Sequence, residues 1–311
     1  MYSQEITRRH RAAIVIAIDQ SCSMSGRMEL NGWDLSKAEV VSMVVGRLID
    51  ELILRSHREG SYRHYYDIAL VGYSGERVYS LLGDELAFYP ITILAGREVP
   101  RTTYALSYRT LHSGRQSFQE EVSLWVEPAA HGATPMYKMI SEVTDLVAEW
   151  CAKEENSESF PPLVFNITDG EASDASYDML RAAAHRLQAT GTRDGNTLFV
   201  NVHISSDTGH APILFPNIHE VPLSIRQAHL LMDMSSIMPE QLHPYICECR
   251  AGFSKPPYIA MSYNASMSEL VAMLNIGSRS IVVGLYFYVR KNNLQNLTFS
   301  SLCYLIGRRT T

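Results

Sequence analysis

Strand-like and helix-like segments alternate along this chain, which predicts an α/β fold: a doubly wound, mostly parallel sheet with helices on both faces. Near-continuous apolar runs at residues 12–19 (AAIVIAID), 67–73 (DIALVGY) and 163–168 (LVFNIT) read as strands buried on both sides. Between them lie stretches of helical period, in which Val40, Val44, Leu48 and Leu52 recur every four positions. Short Ser-, Gly- or Asp-containing loops join strand to helix, so the strand ends should gather at one edge of the sheet, where ligands bind in such folds.

In chain order, residues 12–19 form the first strand, a Ser/Gly loop follows, and residues 34–55 form a helix. Residues 67–73 are the second buried strand, with 76–82 returning as its hairpin partner. Residues 84–121 contain short alternating stretches broken by Gly and Pro and read as a β-rich insertion with edge strands or a hairpin. A strand at 122–126 and a helix at 135–152, with Pro135 in its first turn, come next. Then follow a strand at 163–168, a helix at 174–190, a strand at 197–205, a short apolar piece at 211–215, and helices near 224–238 and 267–276. One domain over residues 10–280 is expected, with residues 281–311 as an extra C-terminal tail that fits no pattern.

The 311 residues suffice for a substantial core, and 46% hydrophobic with 19% charged residues is a globular composition. A net charge of −6 without a basic run gives no footing for nucleic acid or an anionic membrane. The N-terminus is polar, without a secretory pattern, and the apolar run at 281–289 is far shorter than the roughly 20 residues of a membrane helix. Five cysteines in no regular framework suit a reducing compartment, so a cytoplasmic location is expected. Of the glycosylation-type sequons at Asn166, Asn264 and Asn296, the first falls inside a buried strand and reads as chance.

Three loops at the expected binding edge carry chemistry. Asp19-Gln-Ser21-Cys-Ser23 follows the first strand, Gly132-Ala-Thr134-Pro135 precedes the helix at 135, and Asp169-Gly170 follows the strand at 163. Together they offer two carboxylates and three hydroxyls, the hard oxygen donors that Mg²⁺ selects, and no well-placed His or Cys for zinc. Each piece alone has an ordinary reading as a turn or a helix start. Their order, and their placement at strand ends and a helix start, are what raise them to a candidate site.

The five positions Asp19, Ser21, Ser23, Thr134 and Asp169 resemble the metal-ion-dependent adhesion site of von Willebrand factor A (VWA) domains, D-x-S-x-S followed by Thr and Asp. Residues 159–170, 194–205, 234–240 and 270–278 are similar to stand-alone bacterial VWA proteins, and the similarity covers about residues 10–280. The resemblance implies a Rossmann-like fold and a bound Mg²⁺, with Mn²⁺ or Ca²⁺ as alternatives. It implies that Ser21, Ser23 and Thr134 ligate the ion, with Asp19 and Asp169 acting through water or the serine hydroxyls. It further implies a protein partner that offers an acidic residue to the ion. Members of that group are often encoded beside a PP2C-like phosphatase or a Ser/Thr kinase, which makes such a pair candidate partners in bacterial stress response, signalling or defence. One departure is Cys22, where Gly is usual; it is tolerable if φ stays negative, and a small buried thiol is the expected role.

Competing readings are a Mg²⁺-dependent phosphohydrolase with Asp19 as nucleophile and a non-catalytic structural subunit. Against the enzyme, Ser21 stands where a general acid would be expected, and no Lys or Arg lies in the three loops to neutralise a phosphoryl group. Val71-Gly-Tyr-Ser-Gly75 does not satisfy G-x-S-x-G and reads as a strand-ending turn. His243, Cys247 and Cys249 lack the second cluster that a structural zinc site needs, and His203 reads as a hydrogen-bonded core histidine.

Overall fold

A computed structural model describes residues 1–30, 33–110, 114–170, 172–205, 211–221, 225–250 and 255–265. The chain runs through β1 (Ala12–Asp19), a hairpin of β2 (Arg27–Leu30) and β3 (Trp33–Ser36), and α1 (Lys37–Ser56). It continues through β4 (Tyr66–Ser74), β5 (Arg77–Ser80), β6 (Tyr89–Pro90), a long hairpin of β7 (Arg101–Thr110) and β8 (Gly114–Ser123), and α2 (Met136–Ala152). The second half comprises β9 (Leu163–Thr168), α3 (Tyr177–Ala189), β10 (Leu198–His203), β11 (Ile213–Leu214), α4 (Arg226–Met234), α5 (His243–Cys249) and β12 (Met261–Tyr263).

The main sheet has the order β11-β12-β10-β9-β1-β4-β5, with β6 beside β4. Pairs β1/β9, β1/β4, β9/β10 and β10/β12 are parallel, while β5, β6 and β11 add antiparallel edges. This is the mixed, mostly parallel α/β sheet that the alternation predicts. Side-chain alternation along β1 explains its continuous apolarity. Ile14, Ile16 and Ile18 join one core with Val40, Val44 and Leu48 of α1 and Ile246 of α5. Val15 and Ala17 join the other, with Val143 and Val147 of α2, Ala183 of α3 and Leu231 of α4. A large aliphatic side chain buried this way contributes about 1.5–3 kcal/mol, so a central strand with two covered faces has no polar position to spare along most of its length.

One polar line crosses the second core. Tyr73 Oη donates to Asn166 Oδ1 over 2.6 Å, Asn166 Nδ2 to Asn201 Oδ1 over 2.9 Å, and Asn201 Nδ2 to Ser235 Oγ over 3.0 Å. Asn166 is fully buried, which gives its sequon a structural role.

Several expectations shift. The helix read from residue 34 begins at Lys37, because residues 33–36 complete the β2–β3 hairpin. Ser36 then closes a capping box, its Oγ accepting from Glu39 N at 3.2 Å while Glu39 Oε2 accepts from Ser36 N at 2.7 Å. Residues 122–126 are not a strand of the main sheet; β8 ends at Ser123 and pairs only with β7 in a separate two-stranded ribbon. That ribbon, residues 101–123, overlaps the stretch 84–121 read as β-rich. β12 and α5 were not anticipated, being three and seven residues long and too short to show a period. The helix expected near 267–276 and the tail at 281–311 lie outside the described residues. No helix among the described residues is long and apolar enough to cross a membrane.

Candidate metal centre

The topology says where to look. From β1 the chain passes through α1 to β4 on one side, and later crosses to β9 on the other side of β1. β1 and β9 are therefore the adjacent strands at which the winding reverses, and the crevice beyond their carboxyl ends is the ligand position of such folds. Asp19 is the last residue of β1, and Asp169 directly follows β9.

Asp19 is fully buried. Its Oδ1 accepts from Ser21 N at 2.9 Å, and its Oδ2 accepts from the Thr168 hydroxyl at 2.7 Å. Burial outweighs these bonds and pushes the carboxyl up to about 6, with nearby Asp169 adding to the rise. Ser21 is buried and Ser23 exposed, and their hydroxyls lie 3.0 Å apart, so oxygen donors step from the buried acid out to solvent. Both sit where the chain leaves β1 in a short 3₁₀ turn, Cys22–Ser25.

The other two loops are stitched to this one through backbone. Cys22 N donates to Gly132 O at 3.0 Å, His131 N to Gln20 O at 2.8 Å, and Gly75 N to Ala133 O at 2.8 Å. Gly132 has φ +70°, and a Cβ there would come within 2.8 Å of Gly75, so only glycine allows the loops to approach this closely. Thr134 is buried; its N–H donates to Ser173 Oγ at 2.9 Å and its carbonyl accepts from Ser173 N at 3.0 Å, which ties it to the loop after β9. Asp174 caps α2 from that same loop, accepting from Tyr137 N at 3.0 Å and Lys138 N at 2.9 Å. The three sequence-predicted loops thus come together, with Asp19, Ser21 and Ser23 joined by direct bonds, Thr134 tied to Ser173, and Asp169 paired with Lys37.

Asp169 differs from Asp19. Its Oδ2 lies 3.2 Å from Lys37 Nζ, with both side chains 9% exposed, and its Oδ1 is buried with no hydrogen-bond partner among the described residues. A carboxylate oxygen left in this state costs free energy unless something electropositive meets it. Two carboxylates, one of them with this orphaned buried oxygen, and a pair of neighbouring hydroxyls form a donor set that fits a hard divalent cation.

The three loops themselves hold no Lys or Arg, but Lys37 brings a cation to them. It lies outside all three in sequence, yet its position at the start of α1 brings the ammonium to the end of β9. Thr168, Ser173 and Asp174 were also missed. A threonine ending a strand reads as an ordinary β-former, and a Ser-Asp pair in a loop reads as a cap. Cys22 is exposed, contrary to the buried thiol expected, because the 3₁₀ turn carries it outward. Its φ is negative: among the described residues only Tyr2, Glu59, Phe215 and Asn264 are non-glycine positions with positive φ.

Beside the centre, Ser74 Oγ lies 3.0 Å from His131 Nε2 and 3.2 Å from Tyr79 Oη. The hydrogen count decides what this pair can do. Gln20 Nε2 donates to Glu127 O at 3.3 Å, which leaves Gln20 Oε1 to accept the single Tyr79 proton at 2.7 Å. Ser74 must then donate to Tyr79 and accept from His131, so the imidazole is a donor here and does not activate the serine. Elsewhere, His203 is buried and its Nδ1 accepts from Asn264 N at 3.3 Å. His243 and Cys247 are engaged separately, with Met238 O at 3.1 Å and Tyr258 Oη at 3.3 Å.

No family model matches the chain, and a comparison with curated proteins finds no match. Solved structures overlap it in part. A von Willebrand factor type A protein from Catenulispora acidiphila is 14% identical, with 64% of this chain and 34% of that one covered at a TM-score of 0.38. Proximal thread matrix protein 1 from the mussel byssus is 14% identical over 86% of this chain and 47% of that one, at 0.46. The vWF domain of the type V pili tip protein Mfa5 from Porphyromonas gingivalis is 15% identical over 52% and 39%, at 0.30. The chain therefore spans about a third to a half of the length of these proteins. At these identities and TM-scores none of the pairs establishes a shared function.

Proposed function

We propose that this chain is a VWA-type interaction module that holds a Mg²⁺ at Asp19, Ser21, Ser23, Thr134 and Asp169 and uses it to grip an acidic side chain of a protein partner. The supporting observation is the pair of carboxylates at the reversal point of the sheet, one fully buried and the other with a buried oxygen that has no partner among the described residues. When bound, the ion supplies a coordination position for a carboxylate. The residues do the rest. Asp19 fixes the loop that carries buried Ser21 and exposed Ser23, and Thr134 is held in place by Ser173. A coordination position left open toward solvent at such a site can be filled by an anionic side chain from outside.

A phosphohydrolase using Asp19 is the second reading. Lys37 removes one objection to it, the lack of a counter-charge, but Ser21 remains a poor general acid. We further propose a cytoplasmic setting and a bacterial signalling or stress role, with a kinase or phosphatase as candidate partner; these rest on the sequence resemblance alone.

Affinity capture from a bacterial lysate with and without EDTA tests the reading. Partner recovery is expected to vanish with chelator, to return with Mg²⁺ or Mn²⁺, and to be lost in Asp19→Ala and Thr134→Ala proteins of unchanged circular dichroism. Capture indifferent to chelator overturns it. Phosphate-ester turnover that disappears in Asp19→Asn favours the enzyme instead.

A further inference from the structure

We propose that Lys37 sets the charge of the metal centre: its buried ammonium, paired with Asp169, cancels one of the two carboxylates, so that a divalent ion held there keeps a net positive charge and needs an acidic ligand from a partner. The inference rests on the metal reading above and deepens it.

Lys37 is placed against two ordinary preferences. It is the first residue of α1, where the positive end of the helix dipole disfavours a cation. It is also buried, which lysine avoids unless paired. The fold nonetheless builds a slot for it. Lys37 N donates to Gly26 O at 2.9 Å, and a Cβ on Gly26 would lie 3.4 Å from Lys37 Cε, so the side chain runs directly past Gly26 beneath the serine loop. The ammonium ends 3.2 Å from Asp169 Oδ2, while Asp169 Oδ1 has no partner among the described residues. One oxygen of Asp169 is thus spoken for by a fixed cation and the other remains for an ion.

The charge balance follows. Two carboxylates alone would neutralise a divalent ion, and a neutral centre has little electrostatic demand for a further anion. With Lys37 present, one positive charge is left over. The bland alternative is that the pair only ties α1 to the end of β9. Buried ion pairs of that kind add little net stability, because desolvation offsets the attraction. The two roles differ in sign. A structural tie, once cut, loosens the site and weakens metal binding, whereas a charge-setting lysine, once neutralised, strengthens it.

The test is calorimetric titration of Mn²⁺ into the full chain, followed by acetate as a probe carboxylate on the Mn²⁺-loaded protein. Lys37→Met, of similar length, is expected to bind Mn²⁺ about tenfold more tightly than wild type and acetate several-fold more weakly, a shift in Coulomb energy that one neighbouring charge readily supplies. Lys37→Arg, which keeps the charge, is expected to restore both values. Lys37→Gln carries the same expected signs as Lys37→Met and serves if the latter does not fold. Mn²⁺ affinity unchanged or lower in the neutral variants, with wild type binding normally, overturns this inference and leaves the metal centre standing. Absence of Mn²⁺ binding by wild type overturns both.

Discussion

Thr168 donates its hydroxyl to Asp19 Oδ2 over 2.7 Å and accepts Gly170 N–H on the same oxygen at 3.0 Å, so one side chain joins the end of β1 to the turn after β9. Both bonds are buried, and one is to a carboxylate. Thr168→Val keeps the shape and removes the hydroxyl. It is expected to cost about 2 kcal/mol in urea denaturation at pH 8, with Thr168→Ser losing less than half of that. Equal losses in the two variants would show that packing by the methyl, and not the hydrogen bond, matters there.

Asp19 should be a site where function and stability conflict. Burial raises its carboxyl to about 6, so the ionised form is strained in the metal-free fold at neutral pH. Asp19→Asn is expected to stabilise the metal-free protein by about 2 kcal/mol at pH 8 and to abolish any rise in Tm with Mn²⁺. Thermal unfolding with EDTA and with Mn²⁺ measures both, and a destabilised metal-free variant would contradict the first.

His203 should set an acid limit. Burial lowers it to about 4, against an ordinary value of 6.5, with the Asp169 charge opposing the fall and Lys37 adding to it. Between those values the unfolded chain binds the proton and the folded one does not. Stability therefore rises with pH across the window and is lost as pH falls, by roughly 3 kcal/mol in all. Asp19 has the opposite slope, since its raised value makes the folded state bind the proton more readily. Wild type should accordingly be flatter between pH 4 and 6 than either single variant. His203→Gln unmasks the Asp19 slope and Asp19→Asn the His203 slope in denaturation curves. Identical slopes in all three proteins would refute the pairing.

Gly46 lies inside α1, where alanine ordinarily favours the helix by about 1 kcal/mol. Here a Cβ would clash with Ser123 O, because the helix packs against the end of β8, close to where Ser42 Oγ donates to Val126 O. Gly46→Ala is expected to destabilise by about 2 kcal/mol despite its better propensity, measured by chemical denaturation.

The central strands were legible because burial on both faces leaves an unbroken apolar run: β1, β4 and β9 fall within a residue of the stretches that predict them. The β2–β3 hairpin is harder to read from sequence: Asn31-Gly32 is a strong hairpin dipeptide, but the serine- and glycine-rich stretch before it reads equally as loop. The three site loops were found from their order at strand ends. Lys37 was invisible for a different reason. Its partner is 132 residues away, and a lysine opening an amphipathic helix looks like any solvated charge until the fold brings that helix to β9.

The bond between Asp19 and Thr168 spans 149 positions of sequence, and Thr134 must be delivered by a third segment between them. No fragment of the chain carries the centre, so an ion bound there discriminates the finished molecule from every partly folded one. An ion present at a hundred times its dissociation constant would then favour the finished state by about 2.7 kcal/mol. On the proposed metal reading, ion supply would therefore also set how long each copy survives proteolysis of its unfolded form.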